Sequence, residues 1–259
     1  HEEARRETLR TEEGPARLVQ TARVNVAFIN PPSPFLLDER VFPPLGLLQV
    51  AAAARDMEHD VIVGDYSGDN PDSGLTPGWD AYALTATTPQ FPAAVQIARD
   101  IRQSDPAARI ILGGPHATVM PESCPKELFD CVVMGPGEAA ILQALEHDAP
   151  HVLDASKVDP VPGWTIPARD LIDMDSYAYS LMGREGTSMM WSHGCPYGCS
   201  FCCGRTSPYY RRFKARLPES VAVEARMLAD DYGIKAVMAF DDEVNINDAA
   251  LLALCRALA

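Results

Sequence analysis

From residue 24 onward, short runs of mostly apolar residues alternate with longer stretches in which apolar positions recur every three or four residues. The runs VNVAFIN (24–30), DVIVGDY (60–66), AYALTAT (81–87), ARIILGG (108–114) and DCVVMG (130–135) predict strands buried on both faces. The helical period of PLGLLQVAAAARDM (44–57), of residues 90–103 and of GEAAILQALE (137–146) predicts helices between and after them, with a further helix near 121–128. Residues 67–79, SGDNPDSGLTPGW, read as a loop where that alternation calls for a helix. Such units predict an α/β fold, a Rossmann-like doubly wound parallel sheet over residues 24–147, preceded by an N-terminal arm (1–23).

Residues 148–186 carry no strong period and predict a connector with only short structure. A second α/β series occupies 187–259: a strand TSMMWS (187–192), a helix over 218–233 with Pro218 near its start and Gly233 as its stop, a strand KAVMAFDD (235–242), and a helix over 247–259 with Asn247 as N-cap.

Charge narrows the function. The 259 residues carry a formal net charge of −14, a field that disfavours nucleic acid and anionic membranes. No apolar run reaches the ~18–20 residues of a membrane span, and the mixed-charge start lacks the apolar core of a secretory signal. Seven cysteines, an odd number without such a signal, point to a reducing compartment, hence the cytoplasm. Cys124, Cys131 and Cys255 stand alone and read as small packing residues.

Two groups of residues suggest chemistry. Every loop that succeeds a strand of the first series on the ligand-binding side is rich in Gly or Pro: Asn30-Pro31-Pro32, Thr87-Thr88-Pro89, Gly113-Gly114-Pro115-His116 and Gly135-Pro136-Gly137-Glu138. Together they suit close backbone approach to a bulky, flat or extended ligand. The second group is HGCPYGCSFCC (193–203), with Cys195, Cys199 and Cys202 at C-x₃-C-x₂-C. Three thiolates fall one short of a closed structural zinc site, which His193 or Cys203 could complete. Alternatively they hold a [4Fe–4S] cluster with one iron left open for another ligand.

This spacing, with Phe201 just before the third cysteine, resembles the signature of the radical S-adenosylmethionine enzymes. The resemblance implies that Cys195, Cys199 and Cys202 hold the cluster, that S-adenosylmethionine chelates the open iron and is cleaved to a 5′-deoxyadenosyl radical, and that Phe201 lies near the adenine. TSMMWS is then the first strand of a partial (β/α)₆ barrel. The strings PPLGLLQVAAAARDMEHDVIVGDY, TTPQFPAAVQIA, GGPHATVMPE, VVMGPGEAAI and PARDLIDMDSY resemble the N-terminal half of the cobalamin-dependent members, in which a Rossmann-like cobalamin-binding domain precedes the barrel.

That resemblance implies cobalamin contacts from Asn30, Pro31, Pro44, Leu45, Gly46, Thr87, Thr88, Pro89, Gly113, Gly114, Pro115, His116, Gly135, Gly137 and Glu138, and S-adenosylmethionine contacts from Asp241, Asp242 and Asn245. Capping and turn formation is the other reading of the last three, and loop stabilisation the other reading of His116. The chain departs from the family's patterns at three points. It lacks the D-x-H-x-x-G motif that supplies cobalt with a histidine, it has Pro136 where relatives usually carry a glutamate, and only two strand–helix units come after the cysteines.

The chain therefore reads as a fragment, its barrel incomplete. The expected activity is radical methyl transfer to an unactivated carbon of a small-molecule or natural-product substrate, served by an electron donor. Alternatives are oxidative ring formation, or a carrier subunit whose barrel a partner chain completes.

Overall fold

The computed structural model describes residues 23–68, 77–158 and 164–258. The arm over 1–22, most of the 67–79 loop and part of the connector lie outside the described residues. Six parallel strands form the first sheet: β1 (Asn25–Asn30), β2 (Asp60–Asp65), β3 (Ala81–Thr85), β4 (Arg109–Gly113), β5 (Cys131–Met134) and β6 (Val152–Asp154), in the order β2-β1-β3-β4-β5-β6. The direction of travel reverses between β1 and β3, a topological switch point of the doubly wound kind.

Alternate residues of β1 serve opposite faces. Val26 and Phe28 pack with α1 (Leu45–Asp56) and α4 (Gly137–Leu145), while Ala27 and Ile29 pack with α2 (Phe91–Ser104) and α3 (Gly114–Val119). All four side chains are essentially inaccessible, which is why the strand reads as an apolar run without alternation.

Two elements of the first unit differ from expectation. No α-helix spans 121–128: α3 begins directly after β4, and only a single 3₁₀ turn, Pro121–Ser123, comes after it. Gly114 and Pro115 can open a helix there, and Pro121 and Pro125, which lack an N–H, stop a longer one from forming. The short edge strand β6 was hidden in the predicted connector, where its three residues are too few to show a period.

The second unit is smaller. After 3₁₀ turns at Arg169–Leu171 and Met174–Ser176, strands β7 (Ser180–Leu181), β8 (Arg184–Met189) and β11 (Ala236–Ala239) form a sheet in which β8 pairs antiparallel with β7 and parallel with β11. The strand expected at 187–192 thus starts three residues earlier, and its end is redirected: the N–H groups of Trp191 and Ser192 turn to the Asp241 carboxylate. A two-residue ladder joins β9 (Ser192–His193) to β10 (Lys214–Ala215), with the cysteine loop and the short helix α5 (Pro208–Arg211) between them. Helices α6 (Pro218–Tyr232) and α7 (Asp248–Leu258) cover the sheet through Met189, Val221, Leu228 and Leu254. Gly233 ends α6 in the left-handed region, and the Asn247 side chain caps α7 by accepting the Ala250 N–H at 3.1 Å.

A buried ion triad fastens this unit together. The Glu224 carboxylate on α6 accepts from Arg169 Nη1 at 2.6 Å and from Arg216 Nη1, and Arg169 and Arg216 also donate to the carbonyls of Ser188 (3.0 Å) and Met190 (2.9 Å). This is an α/β fold: a Rossmann-like parallel sheet followed by the first strands and helices of an incomplete barrel. Among the described residues no helix is long and apolar enough to cross a membrane.

Candidate functional site

A cavity of about 270 Å³ opens at the C-terminal edge of the six-stranded sheet. Its floor is built from the ends of β3, β4 and β5 and the starts of α1 and α4: Gly46, Thr85, Gly113, Gly114, Gly135 and Gly137. Deeper in, Phe28, Leu47, Ile111 and Val133 make it apolar. The roof comes from the second unit, with Met190, His193, Tyr209 and Tyr210, and from Trp164 of the connecting segment. These aromatics pack on one another, His193 lying 4.1 Å from Tyr209 and 6.2 Å from Trp164 between ring centroids, and Arg216 lies over the Trp164 ring at 5.9 Å.

The floor glycines have two distinct functions. A Cβ at Gly114 (φ +88°) would sit 2.5 Å from Thr85 Oγ1, and one at Gly135 (φ +94°) 2.8 Å from the Ser156 backbone, so these two are required by the fold itself. At Gly46 and Gly113 a Cβ would meet nothing within 4 Å and would instead occupy cavity space. Missing side chains where nothing else packs are what a bulky flat ligand needs.

Burial shifts four titratable groups of the roof and rim. Burial pushes the Glu138 carboxyl up, pushes the Tyr210 phenol up to about 12, raises Tyr209 further, and lowers His193.

Of the residues singled out in the sequence, Gly46, Gly113, Gly114, Pro115, Gly135, Gly137 and Glu138 line this cavity. Asn30, Pro31, Pro44, Leu45, Thr87, Thr88, Pro89 and His116 do not. Several of them brace the loops behind it. Asn30 donates to Asp65 at 2.9 Å, Gln90 donates to the Pro31 carbonyl at 3.0 Å and accepts from Thr87, and buried His116 bridges Thr88 (3.1 Å) and Ser123 (2.9 Å) while stacking on Phe91. Both His116 nitrogens are therefore engaged in loop stabilisation.

The cysteine loop runs from the end of β9 past the cavity roof. Cys195 is half-buried, and Cys199, Cys202 and Cys203 are exposed, as is Phe201 at 91%. Cys199 and Cys202 share a turn through the Cys202 N–H and the Cys199 carbonyl at 3.1 Å. Asp241 and Asp242 hold the base of the loop. Asp241 accepts from Trp191 N–H (3.1 Å) and from both Ser192 donors, and Asp242 accepts from Gly194 N–H (3.0 Å). Asn245 is exposed nearby in sequence, with no place in that bracing. Three soft thiols on one exposed loop suit an iron–sulfur cluster in donor chemistry. They are not gathered in advance: among the described residues no three His, Cys, Asp or Glu side chains converge at metal-holding distance.

Sequence reasoning missed most of the roof. His193 stood in the quoted motif only as an alternative zinc ligand, and Trp164, Tyr209 and Tyr210 sit in aperiodic segments. The run of aromatics in SPYYRRF beside a cofactor motif was the one signal available for the two tyrosines.

A cavity floored by glycine at strand ends and roofed by the strand and loop of a second α/β unit is a ligand site of the kind found in doubly wound sheets. Residues 39–145 match the B12 binding domain family. The uncharacterized methyltransferase PH0819 of Pyrococcus horikoshii is 29% identical over 79% of this chain and 50% of its own length. An anaerobic magnesium-protoporphyrin IX monomethyl ester cyclase of Synechocystis is 25% identical over 91% and 53%, and the hopanoid C-3 methylase of Methylococcus capsulatus is 27% identical over 77% and 43%. The cobalamin-dependent S-adenosylmethionine radical enzyme OxsB, solved with aqua-cobalamin and S-adenosylmethionine bound, superposes with a TM-score of 0.61 at 16% identity, over 91% of this chain and 37% of its own. Residues 39–145 thus match a B12 binding domain within a chain similar along most of its length to proteins described as methyltransferases, a methylase and cyclases. The chain spans about half the length of the curated relatives named first.

Proposed function

We propose that this chain is the cofactor-binding part of a cobalamin-dependent radical S-adenosylmethionine methyltransferase. The observation that carries the reading is the cavity whose open glycines, Gly46 and Gly113, face the roof that leads into the cysteine loop. Its apolar depth suits the flat base of a nucleotide tail, and its glycine-rich mouth suits the edge of a macrocycle. Cys195, Cys199 and Cys202 would hold a [4Fe–4S] cluster, with Phe201 and Asn245 near S-adenosylmethionine and Asp241 and Asp242 fixing the base of the loop.

When bound, the cluster supplies the electron that cleaves S-adenosylmethionine, and the corrinoid supplies the transferable methyl group. The protein's own contribution is placement and exclusion of water. Trp164, Tyr209 and Tyr210 shut the cavity on the barrel side, and Glu138, whose carboxyl burial pushes up, stands at its rim. A small-molecule substrate, an electron donor and the rest of a barrel, from this protein or a partner, complete the enzyme, in a reducing cytoplasm. Anaerobic reconstitution with iron, sulfide and hydroxocobalamin tests the reading. About four irons and a stoichiometric corrinoid per chain are expected. Zinc in place of iron, or iron without corrinoid, contradicts it.

A further inference from the structure

Residues 207–212 stand between the cavity and the cysteine loop and touch both. Tyr210 lines the cavity. Its carbonyl accepts the N–H of Cys195 at 2.8 Å.

Two residues on, the Arg212 guanidinium donates to the carbonyls of Ser156 (2.8 Å), Lys157 (3.1 Å) and Val158 (3.0 Å), in the loop after β6. The Ser156 backbone is what Gly135 packs against, and the Arg212 carbonyl is what Gly194 packs against: a Cβ at Gly194 would lie 2.2 Å from it. Two routes of direct contact therefore run from the cavity to Gly194 and Cys195 at the start of the cysteine loop. One passes through Tyr210 itself, the other from Gly135 through Ser156 and Arg212.

We propose that segment 207–212 couples occupancy of the glycine-lined cavity to the conformation of the cysteine loop, with Arg212 as the positioning residue. The proposal rests on the corrinoid reading of the cavity. A ligand that presses on the Tyr210 ring and the Gly135 turn stabilises one arrangement of both routes and so favours one arrangement of the loop. By linkage, whatever fixes the loop must tighten corrinoid binding by the same factor. Arg212 does not line the cavity, so altering it leaves the binding surface intact while cutting the connection to β6.

The test uses the metal-free chain under anaerobic conditions, with methylcobalamin kept dark as the probe. Iodoacetamide alkylation is resolved by mass spectrometry at Cys195 and referred to exposed Cys255 on α7, while absorbance after gel filtration reports bound corrinoid separately. In the native chain, corrinoid slows alkylation of Cys195 about fivefold or more, the low end of typical coupling. In Arg212→Met the corrinoid still binds and the slowing falls below about twofold. Arg212→Lys, which keeps the charge but not the fork that reaches three carbonyls, also reduces the slowing and serves if Arg212→Met loses its fold. Equal rates with and without bound corrinoid in the native chain overturn the coupling while leaving the cavity reading intact. Undiminished slowing in both variants reduces it to simple shielding and also overturns it. Absence of corrinoid from the native chain removes the cavity reading and the coupling together.

Discussion

Replacing Glu224 by Gln removes the negative charge held between two buried guanidinium groups. The Glu224 side chain and that of Arg169 are fully inaccessible, and that of Arg216 is 1% exposed. The amide keeps the shape of the carboxylate but neither its charge nor its capacity to accept from both arginines. Two cations then remain in an interior where their other hydrogen bonds go to the carbonyls of Ser188, Met190 and Ser220 and to the Ser220 hydroxyl. Breaking a buried pair in this way costs about 3–5 kcal/mol, because the uncompensated charge keeps its desolvation penalty. At about 2–4 °C per kcal/mol for a chain of this size, the unfolding midpoint should fall by roughly 6–20 °C.

Trp164 and Trp191 lie in and beside that unit and Trp79 packs on the first sheet. Tryptophan emission during thermal unfolding therefore reports the loss, with far-ultraviolet circular dichroism tracking the helices of both units. Converting the triad to Arg169→Met, Glu224→Leu and Arg216→Met together should recover most of the stability, since no charge is then left buried. A loss below about 1 kcal/mol in Glu224→Gln would show that water or rearrangement reaches the arginines and would refute the reasoning.

Further outcomes are expected elsewhere. Replacing Cys195, Cys199 and Cys202 by Ala should abolish iron binding after reconstitution while leaving the sheet of residues 24–146 folded, and Cys203→Ala should retain iron; metal analysis with circular dichroism checks both. Gly114→Ala should destabilise the first unit by about 1–3 kcal/mol in urea unfolding, because it combines positive φ with a 2.5 Å approach to Thr85 Oγ1. Burial depresses the imidazoles of His59 and His116 in the folded chain, so the unfolded chain binds protons first as pH falls below about 6.5. Stability should accordingly drop between about pH 6.5 and the lower folded values, and His116→Asn should flatten that slope in a series of melting curves. Glu138 has the opposite linkage: its raised folded pKa means stability is lost as pH climbs from about 4.3 toward that value, a slope that Glu138→Gln should remove.

The parallel sheet was legible because strands buried on both faces must be apolar throughout, and Val26 to Ile29 meet that demand without a gap. The start of α3 was not, since whether a Gly-Pro pair opens a helix or continues a loop depends on which elements pack beyond the end of β4. Among the site residues, the glycines were visible because their absence of side chain is itself the signal. Asn30, Thr87 and His116 looked equally suggestive, yet their hydrogen bonds go to Asp65, Gln90, Thr88 and Ser123, partners up to 35 residues away that the pattern along the chain does not reveal. Trp164, Tyr209 and Tyr210 reach the cavity through tertiary packing of segments with no period. The Arg169–Glu224–Arg216 triad joins three separate segments and left no trace in the periodicity along the chain.

The most direct test concerns Gly113. Its backbone is extended, φ −127° and ψ −164°, so a β-branched residue is tolerated there, and its Cβ would enter the cavity without touching the protein. Hydroxocobalamin is mixed with the native chain and with Gly113→Val, and each is passed through gel filtration and read by corrinoid absorbance. Co-elution with the native chain, lost in a Gly113→Val variant of unchanged circular dichroism, is the predicted result. Equal corrinoid on both proteins, or on neither, would contradict placement of a corrinoid in this cavity.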